Sequence, residues 1–262
     1  MKSLVILGAG SAGTMMASHL SKKLSRKDWN ITIVDQEKTH YYQPGFLFMP
    51  FGTYTEDQVV KPMNDLIPKG VEYVNEGINK VVAEENKVLL ENNQRIDYDI
   101  LIIATGSKIA PEEIEGMSGS GWQKDVFDFY TFEGSKNLAK KLKNWEGGKM
   151  VVHITEMPIK CPVAPLEFCF LADSFFKNKG MRDKVEITYV TPLSGAFTKP
   201  TASKKLGYLL EDKKINIISD FNIMKVDNDG KKIVSYEGTE VPYDLLVTVP
   251  TNMGRLKFRA NS

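Results

Sequence analysis

Leu4-Val5-Ile6-Leu7-Gly8-Ala9-Gly10-Ser11-Ala12-Gly13 decides how the rest of the chain is read. Four apolar residues make a short buried strand, and the glycines after them fall at the spacing Gly-x-Gly-x-x-Gly. A helical pattern through Met16, Leu20 and Leu24 follows, and a second strand, Asn30-Ile31-Thr32-Ile33-Val34, ends on Asp35. The fingerprint is weak alone. Enclosed in a strand–helix–strand unit and answered by an acid about 20 residues on, it predicts a dinucleotide cradle. Gly8 permits the tight turn, Gly10 admits a pyrophosphate to the backbone, and Gly13 lets helix and strand pack closely. The helix amides, starting at Ser11 and Ala12, then face the anion. Asp35 is expected to accept hydrogen bonds from an adenosine ribose with a free 2′-hydroxyl. Glycines that serve only a tight turn are the weaker alternative.

Further along, Val71 to Gly106 reads as short strands with Asn and Glu turns, ending in the buried strand Tyr98-Asp99-Ile100-Leu101-Ile102-Ile103 and Ala104-Thr105-Gly106. Ile215 to Thr251 repeats this plan, with Pro242-Tyr243-Asp244-Leu245-Leu246-Val247-Thr248-Val249-Pro250 as its last strand. Upstream, Met150-Val151-Val152-His153-Ile154 parallels the first strand, and Val185-Glu186-Ile187-Thr188-Tyr189-Val190 parallels Ile31 to Asp35. The chain is therefore expected to be α/β, with two Rossmann-like, three-layer domains built on one duplicated plan. The expected divisions are a first domain over 1–112, a second over 113–250 and a short basic tail over 251–262. Pro111 to Gly148 connects the halves, with a charged amphipathic helix around Ser135 to Trp145.

Composition sets the outer limits. The chain has 262 residues, 42% hydrophobic and 26% charged, which is ordinary for a folded protein. Thirty-four Lys and Arg against 33 Asp and Glu give a formal charge of +1, so no basic field gathers nucleic acid. Two cysteines cannot form a secreted disulfide framework, and three scattered histidines show no metal-ligand spacing, so no metal is expected. Glycines break the apolar start that would otherwise pass for a signal peptide, and no apolar run reaches the roughly 18 residues of a membrane span. A cytoplasmic protein is expected, with contact at a membrane surface left open.

The second copy departs from the first where its cradle should be. Thr155-Glu156-Met157-Pro158-Ile159-Lys160-Cys161-Pro162-Val163-Ala164-Pro165-Leu166-Glu167 contains no glycine. Prolines remove amides and side chains block close approach, so a second dinucleotide, NAD(P)H included, is disfavoured. Cys161 lies before the expected helix Ala164 to Phe176 and beside Lys160, where amide dipoles and a cation favour a thiolate. The alternative is an inert, packed thiol. Cys169, in Phe168-Cys169-Phe170-Leu171, reads as a packed residue. A helical separation of about 12 Å exceeds the roughly 7 Å that a disulfide with Cys161 would allow.

These features together resemble the two-dinucleotide-domain flavoprotein reductases. The cysteine loop, with Tyr42-Gln43-Pro44-Gly45-Phe46, Gly52 and Thr191-Pro192-Leu193, is similar to sulfide:quinone oxidoreductases and the flavoprotein subunit of flavocytochrome c sulfide dehydrogenase. The resemblance covers residues 1 to about 250 and implies FAD as cofactor, held by Gly8, Gly10, Ser11, Ala12, Gly13, Asp35 and Gln36. It further implies that Ile78 meets the adenine through its backbone, that Ala104, Thr105 and Gly106 lie near the pyrophosphate, and that Pro44 shapes a loop against the isoalloxazine ring. For Ile78, Thr105 and Gly106 the alternative is packing or turn geometry; for Pro44-Gly45 it is an ordinary turn.

Cys161 would hold a sulfane sulfur or attack the flavin covalently, passing two electrons from sulfide through FAD to a quinone. Family members continue for a long further segment that returns to the FAD domain, and this chain is expected to lack it. A homo-oligomer or a partner chain would then cover the apolar surface left behind, and a non-catalytic flavin-binding or assembly subunit is the alternative function. An NAD(P)H-linked flavin reductase is disfavoured by the Thr155 to Pro165 loop.

Three features stay open. His40 borders a flavin cavity or faces solvent. The cluster Phe46, Phe48, Phe51 and Tyr54 meets a quinone or lipid, or it packs a core. The tail residues Arg255, Leu256, Lys257, Phe258 and Arg259 are too few to count as a membrane anchor.

Overall fold

Runs of Val, Ile and Leu alternate with helix formers along residues 1–255, the part that the computed structural model describes, and they fold into two parallel sheets with flanking helices. Leu256 to Arg259 of the expected tail lie outside the described residues. The chain divides into two units. One comprises Met1–Tyr42, Val60–Lys108 and the chain from Gly254; the other comprises Gln43–Val59 and Ile109–Met253.

The first unit runs β1 (Lys2–Leu7), α1 (Ser11–Lys23), β2 (Trp29–Val34), the antiparallel pair β3 (Thr39–Tyr41) and β4 (Val60–Pro62), and β5 (Glu72–Val74). A meander of β6 (Ile78–Val82), β7 (Lys87–Leu90) and β8 (Arg95–Asp97) leads into β9 (Ile100–Ile103). The parallel sheet has the order β5-β2-β1-β9, with Leu4 opposite both Ile31 and Ile100. Both faces of β1 are covered, which is why its sequence is continuously apolar. Leu4 and Ile6 join Ala17, Ile31 and Ile33 on the α1 side, while Val5 and Leu7 join Val34, Val88 and Leu90 on the meander side. Along α1, Gly13 and Ala17 are buried and Leu20 packs beside them, whereas Met16, part of the expected apolar pattern, sits at the margin with 37% exposed. β9 ends the sheet, and Ile100 and Ile103 are exposed there.

From β10 (Ser107–Ile109) the chain passes into the second unit: β11 (Val126–Phe127), α2 (Phe132–Asn144), β12 (Gly148–Ile154), α3 (Ala164–Asn178), β13 (Val185–Val190), α4 (Pro200–Asp212) and β14 (Ile215–Ile218). A second meander, β15 (Ile223–Asp227), β16 (Lys232–Ser235) and β17 (Glu240–Pro242), precedes β18 (Leu245–Val249). The sheet order is β11-β18-β12-β13-β14, so β12, β13, β14 and β18 occupy the places of β1, β2, β5 and β9. The duplicated plan is present in the topology. α2 starts earlier than its charge pattern suggests because Thr131 caps it, accepting the Gly134 N–H at 3.0 Å.

Gln43–Val59 lies within the 1–112 stretch in sequence yet packs in the second unit. Phe46, Leu47 and Met49 are buried, and the Ser135 hydroxyl donates to the Phe46 carbonyl at 2.9 Å. Phe51 lies 4.9 Å from Phe168 and 5.7 Å from Phe175 between ring centroids, and Phe48 meets Tyr54 edge-on. Packing therefore accounts for this aromatic cluster. His153 is also structural: it is fully buried on β12, its Nδ1 lies 2.9 Å from the Thr248 hydroxyl, and burial pushes its pKa down to about 3.

Asp173 ties the far end of α3 to its surroundings. Its buried carboxylate accepts from Lys177 Nζ (2.9 Å), Arg182 Nε (2.8 Å) and Lys213 Nζ (3.3 Å). Burial alone would raise its pKa, but these hydrogen bonds and the Lys177 charge outweigh that and hold it below the usual carboxylate value. A depressed pKa stabilises the fold above the unfolded-state value and loses that contribution as pH falls through the folded one. Asp173→Asn is expected to lower unfolding free energy by about 3 kcal/mol at neutral pH. In urea titrations the gap to the parent chain should shrink below about pH 4.

Candidate functional site

The first unit brings the fingerprint together at the carboxyl end of β1. Gly8 has φ +95°, and a Cβ there would sit 2.5 Å from the Ala104 carbonyl oxygen. No side chain fits. A Cβ on Gly13 would drive into the Gly8 carbonyl, so α1 lies as close to the turn as backbone allows. Gly10 is different: its φ is −65°, and a Cβ there meets nothing within 4 Å. Gly10, Ser11 and Ala12 are exposed, the first turn of α1 has no acidic residue, and no side chain caps it. The first amides of α1 thus lack intrahelical partners and carry the positive end of the helix dipole. An open cradle of this kind fits a pyrophosphate, with room where a Cβ would intrude.

Asp35 sits beside that cradle, but it is partly engaged by the chain itself. Its Oδ2 accepts the Ala9 N–H at 2.6 Å and its Oδ1 accepts the Glu37 N–H at 2.9 Å. Each oxygen keeps a further lone-pair direction for a hydroxyl donor. The Asp35 carbonyl accepts from Asn75 Nδ2 at 2.9 Å, and the Tyr73 hydroxyl donates to the Glu37 carbonyl at 2.6 Å, which fixes the strand end. Gln36 is exposed next to it. His40 is half-buried, its Nδ1 lying 3.4 Å from the Ala9 carbonyl.

Ala104 donates its N–H to the Leu7 carbonyl at 2.7 Å, so Ala104 and Thr105 back directly onto Gly8. Gly106 has φ +68° and is exposed. Ile78 pairs with Leu90 across the meander, its side chain against the core cluster of Val5 and Leu7.

The second unit has nothing comparable after β12. The segment from Thr155 to Val163 is irregular and holds Cys161 exposed, two residues before the N-cap of α3 at Val163. The Cys161 carbonyl accepts the Ala164 N–H at 3.2 Å and the Tyr130 hydroxyl at 2.8 Å. The neighbouring Lys160 ammonium donates to the Gln43 side-chain oxygen at 3.2 Å, next to the exposed Pro44. Cys169 is fully buried within α3, and burial pushes its thiol pKa up. Tyr130, Asp128 and the Lys160–Gln43 bond carry no periodic or motif signal; only an Asp three residues before a capping Thr hints at the turn around Tyr130. Among the described residues no group of three or more His, Cys, Asp or Glu is placed to hold a metal ion, and no helix is long and apolar enough to cross a membrane.

Comparison with known proteins agrees with this layout. Residues 2–154 match the model of the pyridine nucleotide-disulphide oxidoreductase family, whose members are FAD-binding flavoproteins. A mitochondrial sulfide:quinone oxidoreductase of Dictyostelium discoideum is 27% identical over 251 residues, covering 94% of this chain and 55% of its own length. A type II NADH:quinone oxidoreductase of Staphylococcus haemolyticus is 29% identical over 150 residues, 56% of this chain and 37% of its own. The crystal structure of the sulfide:quinone oxidoreductase from Aquifex aeolicus superposes with a TM-score of 0.82 at 21% identity, over 96% of this chain and 59% of that one. The chain thus spans little more than half the length of the sulfide:quinone oxidoreductases it matches.

The glycines separate two kinds of failure. Gly13→Ala is expected to cost about 1–3 kcal/mol of stability through overpacking. Gly10→Ala should cost at most about 1 kcal/mol as a poorer cap. Its effect is expected in flavin titration instead, as a loss of FAD affinity of about tenfold or more.

Proposed function

The chain belongs to the pyridine nucleotide-disulphide oxidoreductase family, and from that premise we propose that it is an FAD-dependent oxidoreductase of the sulfide:quinone oxidoreductase type. The reading rests on one observation above the others: where the second copy would need a glycine cradle, it presents an exposed thiol, Cys161, on a loop fixed through its carbonyl. The relatives of that name support the same assignment across nearly the whole chain.

In this reading the first unit holds FAD. Gly10, Ser11 and Ala12 offer backbone amides to the pyrophosphate, and Asp35, with Gln36 beside it, takes the ribose hydroxyls. Ala104, Thr105 and Gly106 line the other side of the turn, Ile78 lies near the adenine, and Pro44 shapes a loop toward the ring system. FAD, when bound, supplies a two-electron acceptor. Cys161 supplies the thiol: a sulfur–sulfur bond forms between it and hydrogen sulfide as one S–H bond of each is lost, giving a persulfide with two protons released and two electrons that FAD would accept. A quinone that takes up two electrons and two protons closes the balance.

A second reading, a flavin-binding subunit without turnover, is favoured by the outer strand β9. Ile100 and Ile103 stand 44% and 45% exposed there, a surface that a second copy or a partner chain would cover. Under that reading the purified chain migrates as a complex and sulfide leaves its flavin oxidised.

The deciding experiment is anaerobic addition of sulfide to FAD-loaded protein, followed by the visible flavin absorbance. The parent chain is expected to bleach, and Cys161→Ser to bleach more slowly by on the order of 100-fold. Equal bleaching in the two proteins, or none in either, refutes the proposed chemistry.

A further inference from the structure

The turn Asp128-Phe129-Tyr130-Thr131 follows β11 and opens α2, and its own hydrogen bonds hold it. Asp128 is 1% exposed, and its Oδ1 accepts the N–H groups of Tyr130 (2.9 Å) and Thr131 (2.7 Å) and the Thr131 hydroxyl (2.9 Å). Phe129 stacks on Phe168 of α3 at 4.9 Å and meets the Tyr130 ring edge-on at 5.0 Å. The Tyr130 ring is therefore set from its backbone and from one flank. Its hydroxyl ends 2.8 Å from the carbonyl oxygen of Cys161.

Resting on the reading of Cys161 as the reacting thiol, we infer that Tyr130 is a positioning residue for it: a buried donor that fixes the Cys161 carbonyl and so sets where the exposed thiol points. The carbonyl is held from two sides, by the phenol and by the Ala164 N–H. The side chain meanwhile remains accessible. Burial, and then the proximity of the Cys161 thiol, raise the Tyr130 pKa well above that of an ordinary phenol, so it stays a protonated donor wherever a thiolate can form. A reactive atom on a loop needs such a support, because small displacements at the reacting centre cost orders of magnitude in rate.

Tyr130→Phe removes the donor and keeps the ring. The matched control is Thr248→Val, which removes the buried hydroxyl that pairs with His153 in the same unit. Two measurements apply to both variants and the parent chain. The first is the rate of Cys161 alkylation by iodoacetamide in the folded protein, read by mass spectrometry of the peptide that carries it. Tyr130→Phe is expected to differ from the parent by about threefold or more while Thr248→Val does not. The second is sulfide-driven flavin bleaching, in which Tyr130→Phe should lower the limiting rate about tenfold with half-saturating sulfide unchanged. An alkylation rate equal to the parent's, or an equal change in Thr248→Val, overturns the assignment. If the parent chain fails to bleach, the proposed function falls, and the alkylation arm still decides the role of Tyr130.

Discussion

Two backbone atoms in the first turn govern the rest of the first unit. The Gly8 carbonyl occupies the place where a Cβ of residue 13 would be, and Gly8 itself is pressed against the carbonyl of Ala104. Strand, turn, helix and the end of β9 therefore meet at van der Waals range with no side chain between them. That closeness sets the axis of α1 and leaves its first amides open beside Gly10. It also brings the Ala9 N–H onto the Asp35 carboxylate, so the loop and the acid at the end of β2 orient one another. A helix start open to an anion is then a consequence of packing, with no dedicated basic side chain needed.

The second unit shows what the same frame does when that constraint is lifted. β12, β13, β14 and β18 repeat the strand order, but the crossing from β12 to α3 is made by Thr155 to Val163, with prolines in place of glycines. Without the close approach, β12 runs on into a loop held through Cys161, Ala164 and Tyr130. The shared scaffold therefore supports two different local chemistries, an anion cradle in one copy and a tethered thiol in the other.

Most of the first unit could be read from the sequence, because each step has a local physical cause. Continuous apolar strands report burial on both faces, and glycines at fixed spacing report positions where Cβ is forbidden. The repeat was legible for the same reason: Tyr98-Asp99 and Tyr243-Asp244 lead equivalent strands. What escaped depends on partners distant in sequence. Nothing around Phe46 or Phe51 announces that they pack with Ser135, Phe168 and Phe175, since the aromatic run has neither helical nor strand period. Tyr130 carries no signal of its own ahead of a helix; its hydrogen bond arises only when the chain returns to Cys161. The sequence marks Asp35 as a candidate acceptor at the end of a strand, and the structure shows that it buttresses the loop through the Ala9 N–H.

The allegiance of Gln43–Val59 bears on how this protein can be taken apart. The polypeptide leaves the first unit at Tyr42, returns at Val60, leaves again after Lys108 and comes back at Gly254. No single cut releases either unit whole. A fragment ending near residue 108 would carry Phe46, Leu47 and Phe51 stripped of the core they fill, and the complementary fragment would keep Phe168 and Ser135 facing a void. Genetic dissection into halves would therefore yield two sticky remnants, and an expression design for either half must splice the excursion across to the other side.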